Sequence, residues 1–197
     1  MSWFRRTPLG AARWVAIDCE TSGLDAARDR LLAVGAVKVH GGRIEVGDPF
    51  AALVRQTAPS ASDNILIHGI GGDAQLAGQP LPEVLSKLAD YAGDAIPVAY
   101  HASFDATVLK SHGWRAGAPW HDLAQLAPAL FPSRKAKLLD EWLAEFGIAP
   151  HARHDALGDA FSAAQLLLVM LAEAKRQGIE TVEALRAAQG GRRWLVP

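Results

Sequence analysis

Hydrophobic positions fall in short strand-like blocks over the first third of the chain and at helical spacing over most of the rest. The run Trp14-Val15-Ala16-Ile17 stops on Asp18-Cys19-Glu20 and turns at Thr21-Ser22-Gly23. An apolar, partly β-branched run bounded by turn residues predicts a buried strand. Residues i and i+2 of a strand share a face, so Asp18 and Glu20 point one way and Cys19 into the opposite layer. Arg30 to His40, rich in Leu and Val, is separated by Gly41-Gly42 from Arg43 to Val46, the pattern of a β-hairpin. Phe50 to Val54 predicts one more short strand.

Thr57 to Gly78 is rich in Ala, Ser, Gly, Asp and Gln and predicts a loop or broken helix over the sheet. Pro82 to Tyr91 has helical spacing behind an early Pro, and Ile96 to Tyr100 a short strand. His101-Ala102-Ser103-Phe104-Asp105 then opens a helix to about His112, with Ser103 as its N-cap and Asp105 in the first turn, where the dipole favours an anion. Pro119 to Leu123 predicts a strand end, followed by a brief helix to Phe131. Lys137 to Phe146 forms a helix stopped by Gly147. A loop through His151 and His154 feeds a long helix with Leu157, Ala160, Ala163, Leu167 and Leu171 on one face. Thr181 to Gln189 predicts a short last helix. Strands first, then strands interleaved with helices, define an α/β class with a mixed central sheet of about five strands. The expected division is an N-terminal extension over 1–12, one functional domain over 13–177, and a short helix and tail over 178–197.

Composition narrows the function classes. The 197 residues, half of them hydrophobic, suit one domain with a sizeable core. No continuous apolar run approaches the roughly 18 residues of a membrane span, and the N-terminus lacks a secretory apolar core. One cysteine excludes an intramolecular disulfide and fits a reducing compartment, so the expectation is a cytoplasmic protein with no membrane partner. A net charge of −1 argues against a broad basic face for long duplexes. Basic clusters are small: Arg5-Arg6, Arg134-Lys135-Ala136-Lys137 and Arg192-Arg193, each read by itself as a solvated patch.

Acids stand at the ends of three separated elements: Asp18 and Glu20 on the first strand, Asp105 opening a helix, and Asp159 early in the long helix, with His154 five residues before it. By itself Asp18-x-Glu20 reads as a solvated strand end. Should the three places meet, four carboxylates without a second cysteine describe a hard-cation site for Mg²⁺ or Mn²⁺ rather than a zinc site. Two such ions can activate water and stabilise the leaving oxygen of a phosphodiester, with His154 able to deprotonate the water. His40, His112 and His121 read as surface or element-end histidines, and Trp114, Trp120 and Trp142 as core. Cys19 reads as a packed thiol, while Phe104 could stack on a terminal base.

Asp18-x-Glu20-Thr21-x-Gly23, His101-x-x-Phe104-Asp105 and His154-x-Ala156-x-x-Asp159-Ala160 resemble, in order, the three motifs of the DEDDh (DnaQ-like) 3′–5′ exonuclease family. This family includes the proofreading epsilon subunit of bacterial replicative polymerase, ribonuclease T and oligoribonuclease. The resemblance runs from about Trp14 to Leu171. It implies a ribonuclease H-like fold, with Asp18, Glu20, Asp105 and Asp159 holding two divalent ions and His154 as general base. It also implies 3′–5′ hydrolysis of single-stranded DNA or short oligonucleotides to nucleoside 5′-monophosphates. Thr21, Ser22, Gly23, His68, Ile70, His101 and Phe104 would meet the 3′-terminal nucleotide, His68 and Ile70 because Ile67-His68-Gly69-Ile70 is similar to the family's base-side segment. His101 replaces the epsilon branch's usual Asn, and Gly71 its usual Thr. An RNA-directed activity like that of ribonuclease T or oligoribonuclease, and a silent nucleic-acid or polymerase-binding module, are the alternatives. A homodimer stays open, and association with a polymerase is not indicated.

Overall fold

The computed structural model describes residues 6–149 and 154–190. Its centre is strand β1 (Arg13–Thr21), which lies inside the sheet and carries the apolar run at its buried start. On one side β1 pairs antiparallel with β2 (Leu31–His40). The hairpin strand β3 (Arg43–Ile44) and then β4 (Phe50–Leu53) share the outer edge of β2. On the other side β1 pairs parallel with β5 (Ile96–Ala99), and β5 with β6 (His121–Asp122). The sheet is therefore mixed and six-stranded, one strand more than expected, in the order β3-β2-β1-β5-β6 with β4 beside β2.

Alternation along β1 divides the core in two. Trp14 and Ala16 face a layer built from α5 (Leu123–Leu130), α6 (Leu139–Glu145), α7 (Ala156–Arg176) and α8 (Val182–Gly190). Val15, Ile17 and Cys19 face the layer of α3 (Leu81–Ala92) and α4 (Ala102–Ser111). The predicted phase of β1 holds: Asp18 and Glu20 continue the α7 face, and Cys19 the other.

The stretch read as a loop or broken helix contains two short helices, α1 (Ser62–His68) and α2 (Gly72–Ala77), separated by Gly69 in the left-handed conformation. Helix α4 begins one residue before Ser103: Ala102 is its first residue and His101 holds the N-cap position with φ 63°, so Ser103 is not the cap. Helix α7 is long and apolar enough to cross a membrane by length and composition, which counting continuous apolar runs did not reveal. It lies instead across β1 and β2 as the core helix, with Leu166, Leu167 and Met170 fully buried.

Candidate active site

The parallel pairing of β1, β5 and β6 brings their C-terminal ends to one edge of the sheet, and the acids meet there. Oxygens of Asp18, Glu20 and Asp159 lie within 4.8 Å of one another. Asp18 and Glu20 come from the same face of β1; just beyond Glu20 the register slips, so that Glu20 faces Ala33 but Thr21 faces Leu31. Asp159 comes from the first turn of α7, whose N-cap Asp155 accepts from the Gly158 N–H at 2.8 Å. The helix N-terminus favours a carboxylate at that position, and the backbone N–H of His154 donates to Asp159 Oδ2 at 3.2 Å.

How α7 comes so close is explained by Gly35, which sequence reasoning missed. Gly35 is the register partner of Asp18 on β2, and a Cβ there would stand 2.2 Å from the backbone of Ala156 and 2.3 Å from Leu157 N. Only glycine lets the start of the helix rest on the strand. A glycine interrupting the apolar run of β2 was the available signal, since glycine inside a strand marks close backbone approach.

Asp105 arrives from the opposite layer. It is buried in the first turn of α4, and its Oδ1 accepts from the Cys19 N–H, between Asp18 and Glu20, at 3.0 Å. It stands beside the three-acid group rather than within it. Burial, with Glu20 nearby, pushes its carboxyl up to about 8 despite the stabilising bond from Cys19. The Cys19 thiol is likewise pushed up, first by burial and then by Asp105 and Asp18, so it stays a neutral packed thiol. The donor set is all carboxylate oxygen, which fits a hard divalent cation, and a cation would offset the burial first, and the Glu20 charge second, that raise Asp105.

The other candidate residues surround this edge. Thr21 is buried; its hydroxyl donates to Gly23 O at 2.6 Å, and its carbonyl accepts from Asn64 Nδ2 at 3.0 Å, which ties α1 to the end of β1. Ser22 bonds Asp29 and Arg30 across the turn that contains Gly23. His68 faces inward. Its Nε2 pairs with Asn64 Oδ1 at 2.8 Å and its Nδ1 accepts from the Ile70 N–H at 2.9 Å, so the side chain holds the α1–α2 corner together and places Ile70. That is a structural employment of a side chain expected at the substrate. Phe104 is half-buried against the α3–α4 core. His101 and His154 are exposed, and they are the two non-glycine residues with positive φ among the described residues. Such conformations are costly and gather at functional sites. His151 lies outside the described residues.

Two histidine expectations divide. His40 is exposed, whereas His121 is buried edge-on against Trp14, with ring centroids 5.1 Å apart. His121 lies on β6, the last strand at that edge of the sheet, under α8; nothing local in the sequence signals that covering helix. Trp114 and Trp142 are core, as read from the sequence.

Comparison with known proteins adds to this geometry. The exonuclease family model, named RNase_T, matches residues 15–167. The chain is 32% identical over 176 residues to the PolC-type DNA polymerase III of Thermotoga maritima, covering 87% of this chain and 13% of that protein. It is 31% identical over 187 residues to a DNA polymerase III subunit epsilon-like protein of Rhodobacter capsulatus, covering 91% of this chain and 26% of that one. The chain thus spans only a minor part of these relatives. Exonuclease X in complex with 5′ overhanging duplex DNA superposes with a TM-score of 0.72 at 25% identity, over 90% of this chain and 99% of that one. Escherichia coli exonuclease I in complex with a dT13 oligonucleotide shares the fold, with a TM-score of 0.70 at 18% identity over 85% of this chain and 42% of that one. The matched span contains every residue that brings an acid to the site, and the chain accordingly belongs to the DnaQ-like family of 3′–5′ exonucleases.

Proposed function

We propose that this enzyme removes nucleotides from the 3′ end of single-stranded DNA or short DNA oligonucleotides, releasing nucleoside 5′-monophosphates. The observation that carries the reading is the convergence of Asp18, Glu20 and Asp159 within 4.8 Å, with Asp105 hydrogen-bonded to the strand between the first two. These four carboxylates would hold two divalent ions, Mg²⁺ or Mn²⁺. Bound there, the ions supply an acidified water and charge stabilisation at the leaving oxygen. His154, exposed at the entrance to α7, takes the proton from the attacking water through its imidazole. Thr21 to Gly23 and the α1 corner receive the terminal nucleotide. Exposed Leu24, Leu66 and Ile67 offer its base an apolar surface on that side, with His101 and Phe104 on the α4 side.

DNA is favoured over RNA because exonuclease X and exonuclease I are described with DNA bound. A cytoplasmic setting, close to replication or repair, fits the naming of the sequence relatives. The test is release of mononucleotide from a 3′-labelled oligomer. Asp18→Asn and EDTA should each abolish release, the latter reversibly, while His154→Ala should lose most of the rate and keep metal binding. Full activity in Asp18→Asn would remove the site assignment. Matched DNA and RNA oligomers of several lengths, in the same assay, separate this reading from an exoribonuclease. A fully inactive wild type would favour a binding module.

A further inference from the structure

The small basic cluster Arg134-Lys135-Ala136-Lys137 sits beside the acidic edge rather than on a remote face. Ala16 of β1 stands opposite Val98 of β5 in parallel register, and Tyr100 follows the end of β5 directly, on the edge of the sheet where Asp18 follows Ala16 along β1. Tyr100 packs into the same core layer as Trp14 and Ala16, the face from which Asp18 projects. Its hydroxyl donates to the carbonyl of Lys137 at 2.6 Å. Burial pushes the phenol up to about 12, so it remains a donor through the neutral range. The loop before α6 is thereby fixed next to the metal site, across β1 from the turn and α1 corner assigned to the terminal nucleotide.

The loop is also held from its other side. Glu141 Oε2 accepts from the backbone N–H groups of Lys137 at 2.6 Å and Leu138 at 3.2 Å. Arg134 pairs with Glu145 and lies over the Phe146 ring, which gives that cation an internal task. Lys135 and Lys137 are exposed, and among the described residues neither ammonium makes an ion pair. Two solvent-facing cations on a braced backbone thus stand on one side of a four-carboxylate site. In a chain whose net charge of −1 supplies no general attraction for a polyanion, they are cations available beside the site.

We infer that Lys135 and Lys137 bind phosphodiester groups of the single strand upstream of the bond being cut, so that the substrate crosses β1 from this loop to the Thr21–Asn64 side. The proposal rests on the exonuclease reading above, and its test separates the two. Phosphate contacts to a single strand appear as a salt slope of about 0.7 per contact in log K against log salt. With a single-stranded DNA 10-mer, K135A/K137A should raise KM, leave kcat unchanged, and lower the slope of log kcat/KM by about 0.7 for each lysine in contact. K135R/K137R should retain the wild-type slope. The p-nitrophenyl ester of thymidine 5′-monophosphate has no upstream phosphate, and all these variants should hydrolyse it at the wild-type rate.

An unchanged slope with the 10-mer would overturn the inference. So would an equal loss on the 10-mer and the ester, which would mark the lysines as merely structural. Should wild-type protein cleave neither substrate, the exonuclease reading fails by itself. Fluorescence anisotropy of the same 10-mer on Asp18→Asn, with and without the lysine substitutions, then reports the slope without turnover.

Discussion

Burial of His121 has a consequence in acid. The residue is 1% exposed, no group among the described residues hydrogen-bonds Nδ1, and an imidazolium would need a partner for that second N–H. Burial first, and Arg186 second, hold its pKa down to about 4 from 6.5. Between those values the unfolded chain binds the proton and the folded one does not, so the folded state loses stability as pH falls from 6.5 to 4. The contribution is about 1.4 kcal/mol per pH unit across the window. Thermal melts from pH 7 to pH 4.5 should show a steeper fall for wild type than for His121→Leu; parallel curves would refute it. The sequence offered little guidance here. A histidine between Trp120 and Asp122 looks like any element-end residue until α8 is seen to cover it. His68 is the converse case, since the corner motif was legible but the inward turn of its side chain depends on Asn64 and Ser60.

At the level of elements, the seating of α7 on β2 sets the spacing of the carboxylates. Gly35→Ala would place a methyl group inside the backbone of Ala156. Relief by moving the helix outward costs about 1–3 kcal/mol, as overpacking usually does. Displacement by about 1 Å at a reacting centre can cost about a hundredfold. Gly35→Ala should therefore remain folded with a melting temperature lower by several degrees, yet lose about two orders of magnitude in kcat. A variant with a normal rate would show that Asp159 is positioned by something else. Elements with a strong pattern were readable: β1 and β2, buried on both faces, are continuous apolar runs, and α3 and α7 carry apolar residues at helical spacing. Helices α1 and α2, of seven and six residues, were not, being too short to show a period. The start of α4 was misplaced by two residues because Ser103 is a good cap by type, whereas the left-handed His101 makes the turn without a side-chain cap.

For the whole molecule, a cation held by the acids at this edge would link metal binding to stability. Any ligand that binds only the folded state stabilises it, by about 2.7 kcal/mol at a hundredfold excess over Kd. For a chain of this size that corresponds to a rise of about 5–10 °C. Mn²⁺ at millimolar concentration should raise the melting temperature of wild type relative to EDTA, and Asp159→Asn should lose most of the rise. No shift in wild type would argue against the cluster as a cation site. The identities of these acids were legible, because three short motifs recur in order. Their mutual distances were not, since they depend on parallel register, on Gly35 and on the Asp105 contact through Cys19.

Pro8 bridges Thr181, the Leu9 N–H donates to Glu180 O, and the Val182 N–H donates to Thr7 O. The path into β1 and the path out of α7 therefore run side by side at the end of the sheet away from the acids. A unit whose entry and exit adjoin can be spliced into a longer polypeptide as a closed loop, asking of its host only two neighbouring attachment points. That geometry suits a nuclease whose PolC-type relatives carry the matching region as about an eighth of a much larger protein.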